Sequence, residues 1–280
     1  MLNKKHKLLE LRTSALVDSL FIGNYKTKHK GRGIEFVDYK EYDFSDDVKN
    51  IDFLRSEKEG KTLVKLFEEE RDLSIYFILD IDKTFFSELL NIRKIDIVFE
   101  LLYLIGLSAI KQGDKIGSFI LNTNNKKINF AKKGKQNFIN IIQDVENFPS
   151  NNKNINNKNA ELKYFNSLKI KNSLVFLITD NLDTDSKDLK ILGIKNDLIV
   201  CNIFNSFENN LNSEGIIGFN KGDVSITLDL DDKMKVNEYI NLRKDKISNM
   251  KNKVIKSGGK YLLLDETKNI YSEVAKLFGK

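Results

Sequence analysis

The chain has little of several residue types on which common functions depend. It has one cysteine, Cys201, which excludes a disulfide framework and favours a reducing compartment, so a cytoplasmic location is expected. Cys201 stands in the apolar run 198–204, which indicates a buried thiol and not a nucleophile. With only His6 and His29, a catalytic site of the Ser-His-Asp or Cys-His kind is not expected.

Long apolar runs are missing as well. No stretch reaches the length that crosses a bilayer, so we expect no integral membrane segment. The first twenty residues mix charged with apolar positions, which is not typical of a signal peptide.

An excess of one charge is also absent. The 46 basic residues are interleaved with 40 acidic ones, and the net charge is only +6. The clearest basic cluster comprises Lys26, Lys28, Lys30 and Arg32. We interpret the lysines as a solvated surface, expect no nucleic-acid partner, and keep an acidic protein partner as the alternative.

Two apolar runs that end on acidic residues are the main signal for the fold. Residues 74–79 lead into Asp80, and residues 173–178 lead through Thr179 into Asp180. Such runs are typical of strands buried on both faces of a parallel sheet. Strands alternate with helices along the rest of the chain, which predicts an α/β fold with a doubly wound, mostly parallel sheet.

The organisation changes near residue 72. We predict a main domain over 73–280. Before it, residues 1–72 are expected to hold an amphipathic helix and then, from residue 23, loops and short β-elements packed on the main domain. The Asn- and Lys-rich stretch 149–159 is predicted to be a mobile loop.

Oxygen-bearing side chains follow the two strand ends. In doubly wound sheets, ligands bind beyond the carboxyl ends of the strands, so Asp80, Asp82, Thr84 and Asp180 are candidate ligands. Hard oxygen donors without His or Cys favour Mg²⁺ over zinc. The alternative is that these aspartates cap the helices that follow.

Four motifs between Gly31 and Arg71 resemble a known family. They read Gly-Arg-Gly-Ile-Glu-Phe at 31–36, Tyr-Lys-Glu-Tyr at 39–42, Asp-Asp-Val-Lys-Asn-Ile-Asp-Phe at 46–53 and Val-Lys-Leu-Phe-Glu-Glu-Glu-Arg at 64–71. In this order they resemble the signature of domain-of-unknown-function family 58 (DUF58). Ser45 and Phe53 depart from the pattern, where Gly and Trp are usual.

The resemblance implies a von Willebrand factor A-like domain after the signature and a MoxR-type AAA+ ATPase as partner. It implies a non-catalytic adaptor or substrate-recruiting protein in protein complex assembly or metal insertion. The signature residues would bind the partner or play a structural role, and we favour a structural role over catalysis. In the structural alternative the glycines permit turns, and Glu35, Glu41, Asp46, Asp47, Arg55 and Arg71 form an ion-pair network. The signature residues are Gly31, Arg32, Gly33, Glu35, Phe36, Tyr39, Glu41, Tyr42, Asp46, Asp47, Asp52, Glu69 and Arg71.

The resemblance also suggests a metal site. Von Willebrand A-like domains bind Mg²⁺ through an Asp-x-Ser-x-Ser loop, a distant Thr and a late Asp. By position Asp80 matches the first Asp, Thr84 the second hydroxyl and Asp180 the late Asp, while Asp82 replaces the first Ser. The distant Thr is absent or is replaced by Asn159. The added charge of Asp82 would hold a cation better and attract an acidic ligand less.

Residues 77–84 also resemble the first motif of haloacid dehalogenase-type phosphatases. That resemblance implies Asp80 as nucleophile, Asp82 as general acid and base, Mg²⁺ as cofactor and Thr179 as the phosphate-binding hydroxyl. Lys83 stands where Gly is usual, and the acidic pair expected downstream has no clear counterpart. We therefore keep the phosphatase as the alternative function.

Overall fold

A computed structural model describes residues 4–17, 33–70, 73–121, 127–148, 158–221 and 224–278. They divide into two compact units, a large one formed by the first helix with the chain from residue 73 onward, and a small one within 33–70. The first helix thus groups with the large unit; the predicted packing of 1–72 on the main domain stays a prediction. Most of the predicted loop 149–159 and the basic cluster of Lys26, Lys28, Lys30 and Arg32 lie outside the described residues.

The secondary structure of the described residues alternates between strands and helices after residue 73, as predicted. The helices are α1 (Lys4–Val17), α2 (Phe53–Glu59), α3 (Lys94–Gln112), α4 (Lys135–Glu146), α5 (Lys158–Ser167), α6 (Ser186–Lys195), α7 (Phe207–Asn210), α8 (Lys233–Lys256) and α9 (Ile270–Leu277). The strands are β1 (Gly33–Glu41), β2 (Leu63–Glu70), β3 (Ser74–Asp80), β4 (Lys115–Ile120), β5 (Lys127–Lys132), β6 (Leu174–Thr179), β7 (Asp197–Ile203), β8 (Ile216–Lys221), β9 (Val224–Asp229) and β10 (Lys260–Leu264).

A six-stranded sheet forms the centre of the large unit. Its strand order is β10-β7-β6-β3-β4-β5, and every neighbouring pair is parallel except β4 with β5. The predicted α/β class with a doubly wound, mostly parallel sheet is confirmed. A separate antiparallel pair is formed by β8 and β9.

The apolar strands are buried because both faces of the sheet are covered. In β3, Ile75, Phe77 and Leu79 contribute to one core, while Tyr76 and Ile78 contribute to the other. This alternation is the two-residue period of a strand. Helices α3, α4 and α9 supply the first core, and α5, α6 and α8 supply the second. Two-sided burial explains why the strands have almost no polar positions.

Local signals set several element ends. Helix α3 ends at Gly113, whose φ of 75° is the left-handed conformation that glycine adopts readily at helix ends. Cys201 lies on β7 and is fully buried, as predicted, and burial raises the pKa of its thiol to about 12. Among the described residues, no helix combines the length and apolarity needed to cross a membrane.

The small unit is more regular than predicted. Where loops and short β-elements were expected, β1 and β2 form an antiparallel hairpin and α2 follows Asp52. The Asp52 carboxylate accepts the Arg55 N–H at 3.1 Å, and Gly60 ends the helix with a φ of 66°. Seven residues are too few for a clear helical period, so only the two caps could have predicted this helix.

Candidate functional site

The carboxyl ends of β3 and β6 meet where the chain changes direction across the sheet. From β3 the chain proceeds to β4 on one side, and β6 later joins β3 on the other. Asp80 ends β3 and lies opposite Thr179 in β6, and the Thr179 hydroxyl donates a 2.7 Å hydrogen bond to its carboxylate. The two acidic strand ends are therefore adjacent, at the switch point where open α/β sheets bind ligands.

The loop after β3 is organised by Asp82. Its carboxylate accepts the Thr84 N–H at 2.8 Å and also the Thr84 hydroxyl hydrogen, and so caps the short 3₁₀ turn Lys83–Phe85. Asp82 therefore has the capping role that the sequence analysis gave as the alternative to metal binding. Thr84 is exposed beside it.

The loop after β6 is tied to the sheet. The Thr179 hydroxyl accepts the Asn181 N–H at 2.9 Å. The buried Asn202 amide of β7 donates to the carbonyl oxygens of Thr179 at 3.2 Å and of Asn181 at 3.3 Å. Asp180 lies between these two anchored residues, so its position is set by the sheet.

A lysine that the sequence did not single out lies against Asp180. Lys94 is the first residue of α3, and its Nζ lies 3.3 Å from Asp180 Oδ2 and 2.7 Å from Glu208 Oε1. Arg243 of α8 reaches the other oxygen of Glu208 at 2.5 Å and stacks over the Phe204 ring at 4.5 Å. The four charged side chains are each only 12–14% exposed. We call Lys94, Asp180, Glu208 and Arg243 the charged cluster.

The charged cluster holds Lys94 in its protonated form. Burial alone would lower the pKa of Lys94, but the negative charges of Asp180 and Glu208 outweigh it and raise that pKa above its ordinary value. Two carboxylates therefore face two fixed cations. The cluster is neutral as a whole, which reduces the penalty for placing these charges in a mostly buried position.

A cleft of about 670 Å³ opens at this edge of the sheet. Its lining comes from the segments after β3, β6 and β7 and from β8 and α8. Apolar side chains form much of its wall, and the charged cluster, Asp82 and Thr84 lie in its lining. The apolar members are Leu89, Ile92, Leu182, Ile217, Tyr239 and Leu242. A largely apolar cleft with a few placed polar groups is suited to binding.

The predicted metal ligands are engaged by other groups of the protein. Asp82 is engaged by Thr84, Asp80 accepts from Thr179, and Asp180 faces the Lys94 ammonium. Within the ranges that the structure describes, no group of three or more His, Cys, Asp or Glu side chains is arranged to hold a metal. Magnesium binding by Asp80, Asp82, Thr84 and Asp180 stays a prediction. The side chain of Asn159 lies outside the described residues.

The signature segment makes local contacts within the small unit. Asp52 receives the Tyr39 hydroxyl at 3.1 Å and the Lys65 ammonium at 3.1 Å. The Arg55 guanidinium lies 4.3 Å from the centre of the Tyr39 ring. Phe44 contacts Tyr42 edge to face, with 6.2 Å between ring centres. These contacts join the hairpin to α2.

Among the described members of the predicted ion-pair network, the structure shows separate pairs. Glu41 pairs with Lys61, Asp46 with Lys40 at 2.6 Å, and Arg55 with Glu59 at 2.9 Å. Asp47 instead caps the turn Val48–Asn50 by accepting the Lys49 N–H. Each described pair joins residues that are close within the same unit, so the charges are matched locally.

The other signature residues are only partly described. Gly33 begins β1 opposite Glu70, so it is a strand residue and not the turn residue that the structural alternative expected. Gly31, Arg32 and Arg71 lie outside the described residues, as do the side chains of Glu35, Phe36 and Glu69.

Lys94, Glu208 and Arg243 were missed by the sequence analysis. Among 46 basic residues, a single lysine or arginine does not stand out. Lys94 begins a long helix, where the helix dipole disfavours a cation. Lysines also begin α1, α4, α5 and α8, so this position does not distinguish Lys94 in the sequence.

Comparison with known proteins places the chain in a family. The model of the family described as "Protein of unknown function DUF58" matches residues 38–246. No curated protein matches the chain. The structure is similar to that of an aerotolerance-related membrane protein from Bacteroides fragilis NCTC 9343 with multiple mutations to serines, at 14% identity and a TM-score of 0.43, over 73% of this chain and 99% of that one. It is also similar to the SpRpn10 VWA domain, at 6% identity and a TM-score of 0.36, over 74% and 95%. Because the family model covers most of the chain, the protein belongs to the DUF58 family.

Proposed function

We propose that the protein is a non-catalytic, von Willebrand A-like adaptor in the cytoplasm that works with a MoxR-type AAA+ ATPase in protein complex assembly or metal insertion. The observation that carries the proposal is the cleft at the carboxyl edge of the sheet. The cleft has apolar walls, contains the neutral charged cluster and has a volume of about 670 Å³. Such a surface suits a segment of a partner protein, since apolar walls provide affinity and fixed charges provide orientation.

The position of Asp80 supports binding over phosphate chemistry. The phosphatase alternative needs Asp80 as an accessible nucleophile. Asp80 is only 4% exposed and receives the Thr179 hydroxyl, and among the described residues it does not belong to the cleft lining. Asp82, the acid and base of that alternative, is occupied as a cap. A buried carboxylate outside the cleft lining is poorly placed to attack a phosphate bound in the cleft.

The small unit offers a second surface for the same partner. Phe44 is 98% exposed, and Phe53 and Leu54 on α2 are exposed as well. Exposed large apolar side chains of this kind can serve as contacts for a partner protein. The ATPase therefore has two candidate contact surfaces, the cleft and the signature segment.

Binding to a MoxR-type ATPase encoded in the same genome tests the proposal. We expect association with micromolar or tighter affinity that weakens as salt is raised, because both candidate surfaces contain charged groups. Failure to bind any such ATPase would contradict the proposal.

Matched variants on α8 locate the contact. Leu242 lines the cleft and is 56% exposed, while Ile255 on the same helix is 54% exposed and is not among the cleft residues. Leu242→Asp should weaken binding at least tenfold, about 1.4 kcal/mol, and Ile255→Asp should leave it unchanged. If Phe44→Ser weakens binding and Leu242→Asp does not, the signature segment is the contact surface and the cleft is not.

An activity assay addresses the alternative function. The purified protein with Mg²⁺ should not hydrolyse a generic phosphomonoester. Turnover that Asp80→Asn abolishes, with the fold intact by circular dichroism, would overturn the non-catalytic assignment.

A further inference from the structure

We propose that Lys94 supplies, at the carboxyl edge of the sheet, the positive charge that a metal ion would bring, so that a divalent cation can bind Asp180 only by displacing the lysine. Whatever partner the protein binds, the native carboxyl edge of the sheet would then be stable without a bound metal ion.

The geometry of the charged cluster leaves Asp180 with a cation already beside it. The Lys94 ammonium lies 3.3 Å from Asp180 Oδ2 and 2.7 Å from Glu208 Oε1. A magnesium ion bonds carboxylate oxygens at about 2.0–2.1 Å, so an ion on Asp180 would lie within a few ångströms of the ammonium. Two cations at that distance, in a position mostly shielded from water, repel each other strongly.

The charge balance of the cluster supports the same conclusion. Asp180 and Glu208 are matched by Lys94 and Arg243, and all four side chains are largely buried. A divalent cation added to this neutral set would create a net positive charge in a poorly solvated place. Removal of the lysine charge would leave the set negative and therefore attractive to a cation.

Lys94 is held in this position by the surrounding backbone. The turn before α3 is closed by hydrogen bonds between Leu89 and Ile92 in both directions, at 2.9 and 3.1 Å. The Asn205 amide after β7 donates to the Leu89 carbonyl at 3.1 Å. These bonds fix the start of α3 against the ends of neighbouring strands. The lysine also lies 5.9 Å from the centre of the Phe85 ring.

Lys94 begins α3, where the helix dipole disfavours a cation. The Asp180 and Glu208 carboxylates, at 3.3 and 2.7 Å from its ammonium, offset that effect.

The test compares metal binding by three proteins, the native chain, Lys94→Met and Lys94→Arg. Melting temperature and isothermal titration calorimetry are measured with MgCl₂ and with MnCl₂, after treatment with EDTA. We expect Lys94→Met to bind Mg²⁺ at least tenfold more tightly than the native chain and to melt at a higher temperature when the metal is added. Lys94→Arg, which keeps the charge, should behave as the native chain does.

Two further variants keep the test decisive. If Lys94→Met does not fold, Lys94→Gln takes its place, because glutamine retains a donor for Asp180 without the charge. In the responsive variant, Asp180→Asn should remove the metal response. The proposal is overturned if the native chain and the neutral variant bind metal equally, or if neither neutral variant binds it.

Discussion

The hydroxyl of Thr179 offers the sharpest test of how the sheet edge is organised. Thr179 is fully buried, and its hydroxyl donates to Asp80 at 2.7 Å while accepting the Asn181 N–H at 2.9 Å. Thr179→Val keeps the shape of the side chain and removes both hydrogen bonds. The substitution therefore isolates the role of one oxygen atom.

The expected loss of stability follows from the two groups that lose their partner, the Asp80 carboxylate and the Asn181 N–H. A hydrogen bond to a charged group contributes about 1.5–3 kcal/mol, and a backbone N–H that loses its acceptor costs about 1–3 kcal/mol when buried. Asn181 is only partly buried, so water can satisfy part of the second loss. We expect Thr179→Val to lower the free energy of unfolding by about 2–4 kcal/mol.

Urea unfolding at neutral pH measures this loss. The midpoint should fall while the slope of the transition stays constant, since the surface exposed on unfolding is unchanged. Thr184 is a buried threonine whose hydroxyl takes no part in the Asp80 contact, so Thr184→Val serves as the control and should cost less. In a double-mutant cycle with Asp80→Asn, Thr179→Val should show a coupling energy above about 1 kcal/mol.

The reasoning fails if Thr179→Val is as stable as the native chain. A change of the free energy of unfolding within about 0.5 kcal/mol is typical of a surface substitution. It would mean that the contact between Thr179 and Asp80 does not stabilise this edge of the sheet. A coupling energy near zero would likewise show that Thr179 and Asp80 act independently.

Three further predictions concern charge and packing in the large unit. Lys94→Met should cost at most about 3–5 kcal/mol at neutral pH, since it removes a buried cation from beside Asp180 and Glu208. Because the pKa of Lys94 is raised in the fold, its stabilising effect is present below pH 10.5 and is lost as pH rises above that value, which urea melts across pH can show. Gly193→Ala should destabilise the protein by about 1–2 kcal/mol in thermal melts, although alanine favours helices, because the added Cβ would lie 2.0 Å from the Ser257 carbonyl oxygen. A variant more stable than the native chain would contradict this prediction. Burial raises the pKa of Asp188, so its ionised form opposes folding above the unfolded value of 3.8. Asp188→Asn should therefore stabilise the protein at neutral pH and lose that advantage in acid. Equal effects of Asp188→Asn at both pH values would refute a raised pKa for Asp188.

The sheet could be predicted from the sequence because its strands are encoded locally. The runs before Asp80 and Asp180 are almost wholly apolar, and only a strand covered on both faces buries every such position. Helices between the strands enforce crossovers that make the strands parallel, which brings their carboxyl ends to one edge. The end of α3 at Gly113 was equally local, because glycine adopts the required positive φ without strain.

The small unit shows where local signals become too weak. Helix α2 has seven residues, and its apolar Phe53 and Leu54 are adjacent, so no helical period is visible. In the sequence, α2 is indicated only by Asp52 at its start and Gly60 at its end. Two caps alone do not distinguish a short helix from two turns.

The sequence by itself determined which residues form the sheet and that Asp80 and Asp180 lie at one edge of it. Only the tertiary structure decided what surrounds those carboxylates. Lys94 is 86 positions from Asp180, and Glu208 and Arg243 arrive from two other segments. No periodicity links these residues, and with 46 basic and 40 acidic side chains the sequence allows a very large number of pairings. Ion pairs depend on distances of a few ångströms that arise only when separate helices and strands pack together, so the cation beside Asp180 could be identified only in the folded chain.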